Sequence, residues 1–324
     1  MGDLLKDRVA IVTGSGHGIG RAVAIALAEE GAKVITNNRK PGGRVEANIT
    51  EEKYNELDAE AKKKLDDEIE ELSGDAEKTA NTIIAAGGEA THCFSDISTF
   101  EGAKKLVDAA VDAYGKVDIV VNIAGILAQG SVDQITEEEW DVCWDTKPKG
   151  HFNVLHFAVP YMLEQGYGRI VNCASGAFMG DKYFDNSHYC ASNAGTVGLV
   201  RAVAGELRTS GITANAFCPS GRTRPEIPED KQALMFEDRP KIPKAVDPSV
   251  ICPFVVFLCS EASHDITGTV FSTHGNMIAR HDEPAVCRTM IKPVEKGLWT
   301  VEEIDRAVDN HLLNGYHSIV EGLL

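Results

Sequence analysis

The chain has 324 residues, of which 43% are hydrophobic and 25% charged, and its formal net charge is −17. Phosphates of nucleic acids and anionic lipid headgroups would repel such a surface, so neither is expected as a non-specific partner. No apolar run approaches the roughly 20 residues that a membrane helix needs, and the charged first residues do not resemble an export segment.

Short apolar runs alternate with amphipathic helical stretches along the chain, as in repeated βαβ units. The predicted strands are Val9–Thr13, Lys33–Asn37, Glu89–Phe94, Ile119–Asn122, Arg169–Ala174, Thr213–Cys218 and Thr269–Ser272. The predicted helical stretches are Ile19–Glu30, Thr99–Tyr114, Thr136–Gln165 with an interruption at Pro148, and Ser187–Thr209. With right-handed crossovers, these elements predict an α/β fold of the doubly wound Rossmann type, with a seven-stranded parallel sheet and helices on both faces.

Two segments fall outside this repeat. Residues 40–74 are highly charged with few apolar anchors, which predicts a solvated helical insertion, with a lid or a partner surface as the alternative. Residues 276–324 carry Trp299 and then apolar residues at helical spacing between Val301 and Leu313. We therefore expect a domain of residues 1–275 and a C-terminal extension that packs on the same domain or on a neighbouring subunit.

A glycine-rich turn, Thr13-Gly-Ser-Gly-His-Gly-Ile-Gly20, joins the first strand to the first helix. Glycines in such a turn let backbone N–H groups approach a pyrophosphate, which the N-terminus of the helix then stabilises. A strand before the turn and an amphipathic helix after it make the motif specific. The turn predicts a dinucleotide site with contacts from Gly14, Ser15, His17, Gly18 and Ile19.

The spacing Thr-Gly-x-x-x-Gly-Ile-Gly resembles that of the short-chain dehydrogenase/reductase family, and further matches extend to about residue 275. They are Asp96-Ile97, Asn122-Ile-Ala-Gly125, Ser175 after the fifth strand, Tyr189-x-x-x-Asn193 and Pro219-Ser-Gly-Arg-Thr223. The segment Ile123–Asn153 is also similar to the hydroxyacyl-CoA dehydrogenase unit of multifunctional β-oxidation enzymes. The resemblance implies a nicotinamide cofactor with further contacts from Asp96, Ile97, Asn122, Ala124, Gly125, Tyr189, Asn193, Pro219, Gly221 and Thr223.

The end of the second strand bears on the choice between NADP(H) and NAD(H). Family members that prefer NAD usually place an Asp there, whereas this chain reads Asn37-Asn38-Arg39-Lys40. Arg39 can pair with a ribose 2′-phosphate through a charge-assisted hydrogen bond, and His17 is a second candidate neighbour. NADP(H) is therefore expected. In the alternative, Asn38 binds the ribose of NAD(H) and Arg39 faces solvent.

The resemblance also implies interconversion of a secondary alcohol and a ketone. Tyr189 would act as general acid or base at the substrate oxygen, and Ser175 would hydrogen-bond that oxygen. An isolated tyrosine has a pKa of about 10, and the family lowers it with a lysine one helical turn later. In this chain the corresponding residue is Asn193, which carries no charge.

A lysine stands instead where the family has its catalytic asparagine. That asparagine follows a Trp by seven residues and precedes a Gly by three, and counting from Trp140 and from Gly150 leads both times to Lys147. In one interpretation the exchange is compensatory: Lys147 supplies the activating charge and Asn193 holds the nicotinamide ribose. In the other, the chain is a catalytically impaired pseudoenzyme that binds cofactor as a structural or regulatory subunit. A lysine beside Lys149 on a helix is otherwise usually a solvated charge.

The substrate wall is expected from residues 176–188, 222–244 and those after 275. Apolar side chains in the first of these segments favour a hydrophobic alcohol or ketone; they are Phe178, Met179, Tyr183 and Phe184. Cyclic-alcohol, terpenoid, steroid and acyl-CoA substrates remain open. The resemblance implies a homodimer or homotetramer formed by helices 136–165 and 187–209, with a hetero-oligomer as the alternative.

The eight cysteines show no C-x-x-C spacing, so no metal site of that kind is expected. Cys93, Cys173 and Cys218 lie in apolar strand-like runs. They are predicted to be buried free thiols in a reducing cytosol, and the protein is expected to be cytoplasmic.

Overall fold

The computed structural model describes residues 2–43, 45, 51–126, 130–180, 186–220, 247–274, 277–282, 288–293, 297, 299–308 and 310–312. The chain forms two compact units, residues 1–281 and residues 282–324. The first unit contains the sheet described below. The domain boundary predicted after residue 275 therefore precedes the last strand of this sheet.

An eight-stranded sheet with the order β3-β2-β1-β4-β5-β6-β7-β8 lies at the centre of the first unit. Its strands are β1 Val9–Thr13, β2 Lys33–Asn38, β3 Glu89–Phe94, β4 Ile119–Asn122, β5 Gly168–Cys173, β6 Ile212–Ser220, β7 Val270–His274 and β8 Met277–Arg280. Strands β1 to β7 pair in parallel, which confirms the predicted fold class and its seven parallel strands. Strand β8 adds an antiparallel edge.

The sheet positions a crevice for a ligand. Strands β1, β4 and β5 are buried along their whole length, as expected for parallel strands covered by helices on both faces. The strand order reverses between β1 and β4. In doubly wound folds, ligands bind at such a reversal, outside the carboxyl ends of the strands.

The helices are α1 Gly18–Glu29, α2 Glu51–Glu56, α3 Ala59–Leu72, α4 Ala76–Ala85, α5 Phe100–Tyr114, α6 Glu137–Trp144, α7 Gly150–Gln165, α8 Ser187–Glu206, α9 Cys252–Cys259 and α10 Val301–Val308. Helix α10 belongs to the second unit. Within the described residues, no helix combines the length and the apolar character required to cross a membrane.

The long helical stretch predicted over residues 136–165 is divided by a π-helical turn, Asp145–Lys149, between α6 and α7. Pro148 lies inside this turn. Because proline has no backbone N–H and its ring clashes with the carbonyl one turn earlier, a regular α-helix cannot continue through it. The predicted interruption is confirmed, and it takes the form of a locally widened helix.

The charged insertion contains α2 and α3, and a small apolar cluster of Leu57, Leu65 and Ile69 lies within it. Its two ends meet, because the Gly74 N–H donates to the Gly43 carbonyl over 2.9 Å. The insertion therefore leaves and rejoins the domain at one place.

At the amino end of β5, Arg169 is buried with 1% of its surface exposed. Its Nε donates to the Ser260 carbonyl over 2.9 Å, and its Nη1 donates to the carbonyls of Gly168 and Gly211 over 2.9 and 3.2 Å. Its Nη2 pairs with Glu261 at 3.0 Å. One guanidinium thus joins β5, the turn before β6 and the end of α9.

Candidate active site

The glycine-rich turn lies between β1 and α1, at the reversal of strand order. Gly14 has a φ of 65°, and a Cβ on it would lie 2.9 Å from the backbone N and Cα of Ala124. A Cβ on Gly16 would overlap the side-chain oxygen of Asn38. Side chains cannot be accommodated at these positions, so the backbone of the turn stays open to a pyrophosphate.

Hydrogen bonds to β2 and from α1 hold this turn in place. The Ser15 N–H donates to the Asn37 carbonyl over 2.9 Å, and the Asn37 N–H donates to Ser15 Oγ over 2.8 Å. Arg21 donates through Nε and Nη2 to the Gly16 carbonyl over 3.0 and 2.6 Å. His17 is the N-cap residue of α1. The turn is therefore fixed before any ligand binds.

The ends of β2 and β3 carry the residues predicted to bind the ribose and the adenine. Asn38 Oδ1 is buried and accepts no hydrogen bond from any described residue, so it fits the hydroxyl of a ribose. Arg39 is exposed and lines a shallow pocket with Ser98. The Asp96 carboxylate accepts from the backbone N–H and hydroxyl of Ser98 over 3.0 and 2.7 Å, and Ile97 is buried.

Asn122 shapes the turn that follows β4. Its Nδ2 donates to Asn172 Oδ1 over 3.1 Å, and its Oδ1 accepts from Thr13 Oγ1 over 3.4 Å. Thr13 Oγ1 in turn accepts from the N–H groups of Ile123 and Ala124 over 3.0 and 3.2 Å. Asn122, which is buried at the end of β4, therefore orders this turn through hydrogen bonds to side chains on β1 and β5.

Ser175 and Tyr189 are placed by neighbouring elements. Ser175 follows β5 and caps a 3₁₀ turn, Gly176–Met179, which packs against α8. Tyr189 lies in the first turn of α8, and both side chains are half-buried. Ser175 Oγ accepts from the Ala177 N–H over 3.3 Å, which leaves its O–H to donate to a substrate oxygen.

Lys147 lies in the π turn, and only 4% of its surface is exposed. Its Nζ is 5.5 Å from the centroid of the Tyr189 ring. No carboxylate in the described part of the chain lies within ion-pair distance of this ammonium. Lys147 is thus not a solvated surface charge but a buried cation beside Tyr189.

Close packing keeps Lys147 in this position. A Cβ on Gly125 would lie 3.4 Å from the Cδ of Lys147, so the lysine stem runs along the turn after β4. On α8, a Cβ on Gly195 would lie 3.1 Å from the Trp144 ring and 3.4 Å from the Pro148 Cβ. Gly195 therefore allows α8, which carries Tyr189, to approach the π turn.

Asn193 is completely buried one helical turn after Tyr189. Its Nδ2 donates to the Tyr189 carbonyl over 2.8 Å, which fixes the orientation of the amide. Its Oδ1 is buried and has no hydrogen-bond partner among the described residues. The position where the resemblance implies a lysine thus offers an uncharged acceptor, which fits the hydroxyl of a ribose.

Cys173 on β5 and Cys218 on β6 lie near Lys147. Burial raises the pKa of Cys173 and raises that of Cys218 to about 12, and the Lys147 charge opposes both shifts. Cys93, Cys173 and Cys218 are buried free thiols, as predicted. They stay protonated and neutral near pH 7, so they do not compensate the Lys147 charge.

Several predicted residues are not among those that the structure describes, and one candidate residue was not predicted. Gly221, Thr223 and the segment 222–244 lie outside the described residues, as do Tyr183 and Phe184, whereas Pro219 pairs with Thr273 near the end of β6. His151, one turn after Lys147 in the sequence, is completely buried against Ala124. Its only sequence signal was a histidine beside Phe152 in the stretch Lys149–Val154.

Known proteins resemble most of this chain. The family described as "short chain dehydrogenase" matches residues 8–73 and 69–232. The chain is 31% identical over 274 residues to the (2S)-[(R)-hydroxy(phenyl)methyl]succinyl-CoA dehydrogenase subunit BbsD of Thauera aromatica, covering 84% of this chain and 96% of the relative. It is 32% identical over 278 residues to the peroxisomal multifunctional enzyme type 2 of Mus musculus, of which it spans 32%. A crystal structure of a short chain dehydrogenase from Mycobacterium avium matches 98% of both chains, with 28% identity and a TM-score of 0.75.

Proposed function

The chain belongs to the short-chain dehydrogenase family of NAD(P)-type oxidoreductases, and we propose that it interconverts a secondary alcohol and a ketone with NADP(H). When bound, the nicotinamide cofactor accepts or supplies the hydride. In the reduction, the Tyr189 hydroxyl donates a proton to the substrate oxygen, and in the oxidation its phenolate accepts one. The Ser175 hydroxyl donates a hydrogen bond to the same oxygen, and Asn193 Oδ1 accepts one from the nicotinamide ribose.

The observation that carries this proposal is the buried ammonium of Lys147, 5.5 Å from the Tyr189 ring. Opposite unit charges at about this separation attract by about 3 kcal/mol at an effective dielectric constant of about 20. An uncompensated lysine at this position stabilises negative charge that develops on the Tyr189 oxygen, the role that the uncharged Asn193 cannot fill.

A turnover screen tests the proposal. The purified chain is assayed with hydrophobic ketones and NADPH or NADH, and with secondary alcohols and NADP⁺ or NAD⁺. We expect sustained turnover that falls by about 10²–10⁴-fold in Tyr189→Phe, the range that general acid–base catalysis contributes. Turnover that persists undiminished in Tyr189→Phe would rule out this mechanism.

A second function is favoured by one observation, the uncharged Asn193 at the position of the family's lysine. In this alternative the chain binds NADP(H) without hydride transfer and serves as a structural or regulatory subunit. The relative from Thauera aromatica is itself described as a subunit. Calorimetric binding of NADP(H), together with no turnover of any substrate in the screen, would favour this alternative.

The preference for NADP(H) is assigned to Arg39, which is exposed at the end of β2. We expect Arg39→Ala to raise the Kd of NADP⁺ by about tenfold or more, since a hydrogen bond to a charged group contributes about 1.5–3 kcal/mol. The Kd of NAD⁺ should change less than twofold. Lys40→Ala, the exposed neighbouring cation, is the control in the same titration. An equal loss for both cofactors would contradict the assignment.

Substrate class, assembly and location complete the proposal. We propose a hydrophobic alcohol or ketone as substrate, a class that includes hydroxyacyl-CoA thioesters such as the one named in the Thauera aromatica relative. The resemblance supports a homodimer or homotetramer formed through α6, α7 and α8. The buried thiols of Cys93, Cys173 and Cys218 support a reducing, cytoplasmic location.

A further inference from the structure

His151 is a buried titratable group that the proposed mechanism does not use. It lies on α7 with none of its surface exposed, and its Nε2 is 3.0 Å from the Ala124 carbonyl oxygen. Because a carbonyl can only accept, Nε2 must carry a hydrogen. Burial, and then the nearby Lys147 charge, lower the pKa of His151 to about 3. The ring is therefore neutral near pH 7, and Nδ1 is an unprotonated acceptor.

The Nδ1 atom is shielded from solvent and accepts no hydrogen bond from any described residue. A buried acceptor without a donor is unfavourable by about 1–3 kcal/mol. Such atoms are rare in native structures and call for an explanation. The explanation here has to be a donor that reaches Nδ1 in the working protein.

Lys147 is the candidate donor, because it lies four residues before His151 and its stem runs along the Ala124–Gly125 turn that His151 contacts. Its ammonium is buried and has no carboxylate partner among the described residues. Four titratable groups from four elements lie within electrostatic range of it: His151 on α7, Tyr189 on α8, Cys173 on β5 and Cys218 on β6. The two thiols are protonated and are weak acceptors. Tyr189 presents its ring, so His151 Nδ1 is the one strong neutral acceptor in this set.

We propose that His151 is the positioning residue of the Lys147 ammonium. Through Nε2 it fixes the Ala124–Gly125 turn, along which the lysine stem lies. Through Nδ1 it accepts a hydrogen bond from a water molecule that Nζ also binds, because no direct bond joins the two side chains. This inference rests on the proposed function, because Lys147 has to be held only if it acts on Tyr189.

A neutral partner suits this role better than a carboxylate. A carboxylate would hold the ammonium equally well, but its negative charge would cancel much of the positive field at Tyr189. A neutral imidazole orients the N–H bond and leaves the net charge intact. His151 thus explains how a lysine without a counter-ion can keep a defined position.

The test is nitrogen NMR on the full chain, labelled with ¹⁵N-histidine and saturated with NADP⁺. The resonances that disappear in His151→Gln are assigned to His151. Glutamine is chosen because its amide N–H can still donate to the Ala124 carbonyl. We expect a protonated Nε2 and an unprotonated Nδ1. In Lys147→Met the Nδ1 resonance should move downfield, toward the position of an imidazole nitrogen without a donor.

Lys149→Met is the matched control, because Lys149 lies two residues away, is exposed and pairs with Asp145 at 3.0 Å. It should leave the Nδ1 resonance in place. A protonated Nδ1, or an Nδ1 resonance that is identical in Lys147→Met and in the unmodified chain, would overturn the inference.

Kinetics then separate this inference from the proposed function. We expect His151→Gln to lower kcat by about 10–100-fold, as the loss of an outer-shell partner does at other sites. The pH–rate profile for alcohol oxidation should move to higher pH, and the KM for NADP⁺ should change less than threefold. If Tyr189→Phe keeps full turnover while Lys147→Met still moves the Nδ1 resonance, the proposed function fails, and only the contact between His151 and Lys147 stands, without a catalytic purpose. If Tyr189→Phe is inactive but the resonance does not move, only the inference fails.

Discussion

Lys147→Met is expected to lower kcat for alcohol oxidation by about 10²–10⁴-fold, as severely as Tyr189→Phe. Methionine keeps much of the length and packing of the lysine stem but removes the charge beside the Tyr189 ring. Without that charge, the phenolate that forms during the oxidation lacks its stabilising cation. The rising limb of the pH–rate profile should therefore move to higher pH.

Stability provides a second, opposite readout for the same variant. A buried cation without a counter-ion is unfavourable in the folded state, and an apolar side chain of similar volume removes that penalty. Lys147→Met should consequently unfold at the same temperature as the unmodified chain or at a higher one. Lys149→Met, which removes an exposed charge from the same turn, should change kcat less than twofold. If Lys147→Met retained the rate and the pH profile, the Lys147 charge would have no role in catalysis, and it would not replace the lysine that Asn193 stands for.

Arg169→Met should be the most destabilising substitution at the amino end of the sheet, at about 3 kcal/mol. It removes the Arg169 donor from the carbonyls of Ser260, Gly168 and Gly211, of which Ser260 still accepts from the Ser263 hydroxyl over 3.2 Å, and each unsatisfied buried group is unfavourable by about 1–3 kcal/mol. Water will hydrate some of these carbonyls, so the expected loss of unfolding free energy lies near the lower end of the summed range. For a unit of 281 residues the midpoint should fall by roughly 5 °C. Chemical denaturation of the full chain measures the difference directly.

Two controls identify the source of this effect. Glu261→Gln removes the ion pair but leaves the three carbonyl bonds; because Glu261 is 63% exposed, we expect less than about 1 kcal/mol. Lys104→Met removes the exposed pair with Asp108 and should leave the free energy of unfolding nearly unchanged. If Glu261→Gln were as destabilising as Arg169→Met, the ion pair and not the carbonyls would carry the stability.

Most of the sheet could be predicted from the sequence because its strands are short apolar runs between helices. Strands β1, β3 and β4 match their predicted bounds residue for residue, and the others differ by only a few residues. Strand β8 could not be found in this way. All four of its residues are exposed, so no alternation of apolar and polar side chains marks it.

The candidate site was predictable where a motif fixes a backbone position and not where side-chain packing decides. Counting from Trp140 and Gly150 located Lys147, but not its burial, which depends on the π turn and on the approach of α8 at Gly195. The orientation of the Asn193 amide follows from the Tyr189 carbonyl, which no sequence pattern reports. In the sequence, His151 resembles any other core residue. Only the structure shows that its two ring nitrogens have different surroundings.

The hydrogen bond between Gly43 and Gly74 makes the charged insertion a self-contained appendage. Because its ends are already joined in space, evolution or an engineer can lengthen, shorten or exchange it without stretching β2 or α4. Arg21 binds both the carbonyl of Ser73 in the insertion and that of Gly16 in the dinucleotide turn. A sensor domain fused at this junction would therefore be connected to the dinucleotide turn through the single side chain of Arg21.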